Sequence, residues 1–349
     1  MMEEKYKRYN RDLVNRFISD YKLPIAVNKE KYFFYFLELY EKDFKSLTKW
    51  MLLWDMIDER YGGDAILFLD EYYNLRDEII VSTENSDAYV KFNNMDMGKF
   101  KVDNKPQVTS NNVYNGENIN KVFLSIDLKK ANFQALRFAN PDIVLGADTY
   151  EDFIGKFTDL EYVKESKYTR QVIFGKLNPK RHITVEKYLI NEVWKAYEKN
   201  FSDKKIVSMA NDEIVIESTF DYVPDACDFY SDICDRIEEV VYNNTGLKVK
   251  AQYYFLKGYQ MYCLESGNPR NTFYVRENLA DGFKTFVCVP APYHALTYKI
   301  YNNIPLCDED YHFIYEGIDC IFNEKFGIKD FVPTNEKKKG GRSCTKKDE

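Results

Sequence analysis

The 349-residue chain is poor in histidine, has no paired cysteines and carries no net positive charge. Its three histidines, His182, His294 and His312, are not spaced as ligand pairs. Its seven cysteines (Cys227, Cys234, Cys263, Cys288, Cys307, Cys320, Cys344) are odd in number and scattered, without a C-x-x-C pair. Neither a zinc site nor a disulfide framework is expected from that pattern. A formal charge of −7 removes any global signature of polyanion binding, so such a surface has to be a local basic patch on an acidic body. The segment MMEEKYKRYNRDL lacks the apolar stretch of a secretory signal, and no run approaches the roughly 18 apolar residues of a membrane span. The expectation is a reducing, aqueous, cytoplasmic setting with no membrane partner. No internal repeat is visible.

Aromatics are abundant: 29 Tyr and 25 Phe, many interleaved with Lys and Asn. AT-rich coding in a virus, phage or low-GC host accounts for that mixture first (a viral chain would act in the host cytoplasm). Base stacking beside a phosphate backbone accounts for it second.

From Tyr6 to about Ile80, apolar residues such as Tyr32, Phe33, Phe36, Leu39, Tyr40, Phe44, Leu47 and Trp50 recur at helical spacing, interrupted at Gly62-Gly63. Tyr89 to Phe92 reads as a short strand, and Gln107 to Asn120 as a turn-rich connector. Val122 to Ile126 is a buried strand ending at Asp127, followed by a helix. Asp127 is either the cap of that helix or an acid displayed at a strand end. Tyr162 to Phe174 reads as one helix with Lys164, Lys167 and Arg170 on a shared face, leading into the basic turn FGKLNPKR (174–181). A helix over Thr184 to Phe201 precedes the hairpin KKIVSMANDEIVIEST (204–219), whose β-branched runs flank Asn211-Asp212-Glu213. A helix over Asp225 to Asn244 stops at Thr245-Gly246. Leu247 to Cys263 reads as two strands bending near Gly258, Asn271–Val275 and Thr285–Val289 as strands, and Tyr293–Tyr301 and Asp308–Phe322 as helices. Residues 335–349 are charged and low in apolar content, which predicts a disordered tail.

Adjacent acids repel and are costly to bury unless a cation, most often a divalent metal, neutralises them. The chain between Asp127 and Asp212 is long enough for a helix-bearing crossover within one sheet. If the strand and the hairpin are neighbours, Asp127, Asp212 and Glu213 converge. Such a cluster suits two divalent ions about 3.5–4 Å apart and in-line displacement at phosphorus. Basic groups between the acids (Lys129, Lys130, Lys167, Arg170, Lys176) would neutralise a triphosphate.

This order of motifs resembles the palm domain of right-handed template-dependent polymerases, nearest to the reverse transcriptase pattern. The first motif stands as Asp127-Leu-Lys-Lys-Ala131-Asn132-Phe133, the second as Gly175-Lys-Leu-Asn178-Pro179, and the third as Ala210-Asn211-Asp212-Glu213. Gly246-Leu247-Lys248 and Phe255-Leu256-Lys257-Gly258-Tyr259 are similar to two later motifs. Glu213 stands in place of the family's second Asp, Ala210 in place of its aromatic, and Asn132 in place of its sugar-gate residue. The basic face after the first acid, with Asn211 to Ile216, is similar instead to family A DNA polymerases.

The resemblance implies an α+β fold. Residues 1–120 would form a helical, fingers-like region, 121–284 an antiparallel palm sheet flanked by helices, and 285–334 a small thumb-like region. Asp127, Asp212 and Glu213 would be catalytic and hold Mg²⁺ or Mn²⁺. Lys129, Lys130, Asn132, Phe133, Lys167, Arg170, Gly175, Lys176 and Asn178 would bind the nucleotide. Lys180, Arg181, Lys257, Gly258 and Tyr259 would contact nucleic acid, with Gly258-Tyr259 in a primer-grip hairpin. The implied partners are nucleoside triphosphates and a primed template, with a protein partner also open. Two other readings stand beside this one: an inactive palm-like protein that binds nucleic acid or protein, and a structural α/β protein whose acidic hairpin has no chemistry.

Overall fold

A computed structural model describes residues 3–102, 106–109, 112–203, 205–223 and 226–332. Lys204 and the charged stretch from Asn335 lie outside the described residues.

The aromatic-rich first third builds helices. Asn10 caps α1 (Arg11–Tyr21) by accepting from the backbone N–H groups of Asp12 and Leu13. There follow α2 (Glu30–Leu39), α3 (Glu41–Phe44) and α4 (Ser46–Tyr61), which stops at Gly62 in the left-handed conformation. Asp64 caps α5 (Ala65–Glu84). Of the residues at helical spacing, Phe33 and Trp50 enter one core with Phe17, Ile57, Phe68 and Ile79, whereas Tyr32, Phe36 and Tyr40 enter a second. Tyr89 to Phe92 is not a strand but part of α6 (Asp87–Asn94). The Ser86 hydroxyl accepts from the Tyr89 N–H and starts a helix there, and Tyr89 and Phe92, three apart, share its buried side.

The central strand β1 (Lys121–Leu128) is followed by α7 (Ala131–Ala139), α8 (Tyr150–Ile154), α9 (Glu161–Glu165), α10 (Lys167–Lys176) and α11 (Pro179–Asn200). Then come the hairpin β2 (Ile206–Met209) and β3 (Glu213–Glu217), α12 (Cys227–Thr245) and β4 (Val249–Cys263). The strand order β2-β3-β1-β4 with β1 antiparallel to both neighbours is a split β-α-β arrangement. Val122, Leu124, Ile126 and Leu128 face the core under α7, α11 and α12, whereas Phe123 joins a smaller cluster on the opposite face. The period of two therefore puts Ser125 and Asp127 on that second face.

The sheet continues through β5 (Pro269–Asn278) and β6 (Lys284–Val287). The helix α13 (His294–Tyr301) and the separate hairpin β7 (His312–Tyr315) and β8 (Ile318–Ile321) follow. Strand β9 (Phe326–Asp330) then pairs with the distal half of β4. Residues 285–332 thus contribute strands to the sheet that holds β1. The helix expected over Asp308–Phe322 is a short 3-10 turn and a hairpin. Glu316 (φ 48°) and Gly317 (φ 80°) supply the paired left-handed residues of a two-residue turn. Leu247–Cys263 is not two strands, because β4 runs straight through Gly258. That glycine marks close approach instead: a Cβ there would lie 2.3 Å from Ile119 Cδ1. No helix among the described residues is long and apolar enough to cross a membrane.

The helix expected over Tyr162–Phe174 breaks at Ser166, whose hydroxyl caps α10 through the Thr169 N–H and donates to Asp20 Oδ1 at 2.7 Å. Asp20 is fully buried and also accepts from Tyr72 (2.9 Å) and Tyr162 (2.8 Å), with Arg16 Nε at 3.1 Å. One carboxylate thereby ties α1, α5, α9 and α10 together. Asp20→Ala leaves Arg16 as a buried, unpaired cation and is expected to cost about 3–5 kcal/mol. The urea midpoint measures it, with Asp20→Asn losing less.

Candidate functional site

Asp127 does not cap a helix. The helix after it starts at Ala131, preceded by Lys130 in the left-handed conformation. Asp127 instead lies near the end of β1, in register with Glu213 on β3 and Lys250 on β4. The turn between β2 and β3 is closed by the Ala210 N–H donating to Glu213 O at 2.8 Å. It is anchored to β1 by the Leu128 N–H donating to Asp212 O at 2.7 Å. Asp127, Asp212 and Glu213 are therefore brought together at one end of the open sheet face, as their order along the chain predicted.

Their electrostatics differ. The Asp127 carboxyl is pushed up to about 6 by restricted hydration and by the charges of Asp212 and Glu213, while Lys167 and Arg276 pull it the other way. Glu186 on α11, which sequence reasoning missed, is pushed up to about 7 by burial and by Asp212. Glu213 is held by others: Ser125 Oγ donates to its Oε1 at 2.5 Å, and Arg276 Nη1 lies 3.6 Å from the same oxygen. Arg276 is stacked 4.0 Å from the centre of the Tyr254 ring and donates to Tyr114 Oη at 3.3 Å. Ser125 was within reach of sequence reading, since a residue two before Asp127 on a strand shares its face. Arg276 was not, because its place depends on the pairing of β5 with β4.

A cleft of about 560 Å³ opens beside Asp127, walled by Lys129, Lys130, Phe133, Tyr150, Lys248 and Lys250 among others. Lys129 pairs with Glu238 at 2.9 Å and Lys130 with Glu151, while Lys248 and Lys250 have no ion-pair partner among the described residues. Lys167, in the first turn of α10, and Arg170, 5.7 Å from the Tyr150 ring, act electrostatically on Asp127. Lys129, Lys130, Phe133, Lys167 and Arg170 are thus gathered around the acids.

Other expected site residues are not gathered there. Asn132 accepts from the neighbouring Phe133 N–H. Gly175, Lys176 and Lys180 are exposed outside the cleft lining, and Asn178 donates to Asn93 at 3.0 Å. Arg181 is fastened to Met95 O and lies over Phe92. Lys257 pairs with Glu277 at 2.9 Å, and Tyr259 packs on Phe273 and Tyr301. Both belong to the alternate β4 positions on the helix-covered face, and Gly258 lies under Ile119 in mid-strand rather than in a hairpin turn.

Asp127 and Asp212 offer oxygen donors with no cation bonded to either among the described residues, and Asp127 is unfavourable as an anion beside its acidic neighbours. That donor set fits a hard divalent ion. Glu213, turned to Ser125 and Arg276, is not aimed with them, and among the described residues no three His, Cys, Asp or Glu side chains are close enough together to enclose a metal.

A carboxyl whose folded pKa is raised binds its proton more tightly in the folded chain. Its contribution to stability is complete below about pH 4 and is lost as the pH rises through about 6 for Asp127 and about 7 for Glu186. In chelator at pH 8, Glu186→Gln is expected to raise the melting midpoint by about 2 °C, the effect of ~1 kcal/mol in a chain of this size, and Asp127→Asn, whose carboxyl is exposed and screened by solvent, to raise it by less. The gain should fade toward pH 5. Comparison of the chain with known proteins finds no matching family model, no matching curated protein and no matching solved structure.

Proposed function

We propose that the chain is a metal-dependent nucleotidyltransferase that extends a primer on a nucleic-acid template. The observation that carries the reading is the register of Asp127 against the Asp212-Glu213 turn beside a cleft whose lining includes Lys248 and Lys250, without ion-pair partners among the described residues. Transfer of a nucleotidyl group needs anionic oxygens to hold a cation and fixed positive charge to receive a polyphosphate, and both kinds of group meet here. Mg²⁺ or Mn²⁺, held by Asp127 and Asp212, would supply Lewis acidity at phosphorus. The chain's own groups then have separate tasks. Lys167 and Arg170 act on Asp127 from α10 and would offset phosphate charge, while Lys248 and Lys250 line the cleft with no ion-pair partner among the described residues. The motif order from Asp127 to Tyr259 supports the same reading, as does the split β-α-β sheet that displays the acids on its open face.

A second reading, an inactive chain of the same architecture that binds nucleic acid or a protein, is favoured by one observation: Glu213 is already engaged by Arg276 and Ser125.

Incorporation of labelled nucleotides on primed RNA and DNA templates with Mg²⁺ or Mn²⁺ separates the two. Extension is expected, and Asp212→Ala should reduce it by at least about a hundredfold, the scale of losing a major electrostatic stabiliser. In a thermal scan, Mn²⁺ at a hundred times its Kd should stabilise the wild type by about 2.7 kcal/mol and the Asp212→Ala variant not at all. Metal stabilisation without extension on any template would favour the inactive reading.

A further inference from the structure

We propose that a pocket between α11 and the β2–β3 turn binds an adenine base, with Asn191 reading the edge of the ring and Lys187 holding the adjoining phosphate. Such binding needs no metal and would hold whether or not the chain transfers nucleotides.

Asn191 lies on the buried side of α11 with Ile190, Val193 and Trp194, and is itself only 4 % exposed. Asparagine is a poor helix former, and here its carboxamide makes no hydrogen bond among the described residues. A buried polar group left without a partner is costly. A leucine would serve both the helix and the core better, so the residue breaks the local rule with no structural gain, as residues at functional sites do. What Asn191 lines is a pocket of about 180 Å³, shared with Val108, Ile190, Met209, Lys187 and Asn211 among others. The wall that carries Val108 is fastened to β2 by Thr109, whose N–H donates to Ile206 O at 3.0 Å.

The ligand follows from size and polarity. The volume is below the roughly 300–1,000 Å³ of pockets for drug-sized molecules, so one flat ring system fits and a whole nucleotide does not. Apolar walls suit the faces of a base, and the carboxamide sets an acceptor beside a donor. That pair matches N6 and N7 of adenine. Lys187 is exposed beside the pocket and has no ion-pair partner among the described residues. Lys180 is exposed and unpaired in the same sense, and a spacing of seven residues puts both on one side of α11. Phosphates outside the pocket would therefore meet positive charge on a chain that is acidic as a whole. The ring and its phosphate are the same chemistry in a free mononucleotide and at an unpaired position of a strand.

Calorimetry on the full chain in chelator, with adenosine, cytidine and uridine monophosphates, tests this. Adenosine monophosphate is expected to bind, and the two pyrimidine nucleotides at least about tenfold more weakly, the scale of one matched base edge. Asn191→Leu, with folding verified by circular dichroism, should weaken adenosine monophosphate by a similar factor. Lys187→Gln should weaken adenosine monophosphate and leave adenosine unchanged, a split that a merely structural lysine would not produce. Anisotropy of labelled oligo(dA) separates the two sources: binding tighter than that of adenosine monophosphate assigns the ring to a strand, and binding no tighter assigns it to a free nucleotide. No binding of either probe up to about 1 mM, equal binding of the pyrimidine nucleotides, or unchanged binding in a folded Asn191→Leu would overturn the inference. Should Asn191→Leu fail to fold, the nucleotide panel and Lys187→Gln decide alone.

Discussion

The antiparallel pairing of β1 with β3 on one side and β4 on the other is the constraint on which the rest of the molecule depends. Alternate residues of β1 point to opposite faces, and Leu124 and Ile126 are committed to the core under α7, α11 and α12. Ser125 and Asp127 are thereby committed to the other face. A slip of one residue would bury Asp127 and expose the apolar set, so the register is strongly specified. Once it is set, Asp127 must lie opposite Glu213 and Lys250, and the repulsion between neighbouring carboxylates has to be answered by something nearby. Arg276 and Ser125 answer it for Glu213. Lys167 and Arg276 offset part of it for Asp127.

A second level of organisation lies in the helices between β1 and β2. Burial of Asp20 with Arg16, Tyr72, Tyr162 and Ser166 determines where α9 ends and α10 begins, which turns Lys167 and Arg170 toward the acids. Aromatic residues serve this scaffold more than they serve a ligand. Phe133, Tyr150, Phe153 and Phe174 form one cluster of ring contacts behind the cleft, and Tyr259 is packed on the side away from it. The abundance of Tyr and Phe is therefore chiefly an account of the core.

The helical first third, the strand at 121–128, the acidic hairpin and the helix ended by Gly246 were legible because each has a local cause: a period, a cap or a left-handed glycine. Elsewhere the local pattern is compatible with more than one structure. Tyr89-Val90-Lys91-Phe92 suits either a strand or a helix, and the Ser86 cap decided it. Ile314 to Ile321 suits a helix by composition, and only the left-handed Glu316-Gly317 turn makes it a hairpin. Gly258 suits a bend by residue type, whereas the packing of Ile119 against it is a contact between distant parts of the chain.

By itself the sequence determined which face of β1 is apolar, which residues are acidic at the strand end and the hairpin turn, and where basic residues are dense. Those properties depend on residue type and spacing within a few positions. Only the tertiary structure decided which of them meet. It joined Asp127 to the hairpin, added Glu186 from α11, turned Glu213 away to Arg276 on β5, and sent Arg181, Lys257 and Tyr259 to structural duties. The reason is physical: strand pairing and helix packing connect residues far apart in the chain, and the charge each carboxylate feels is the sum over that assembled neighbourhood.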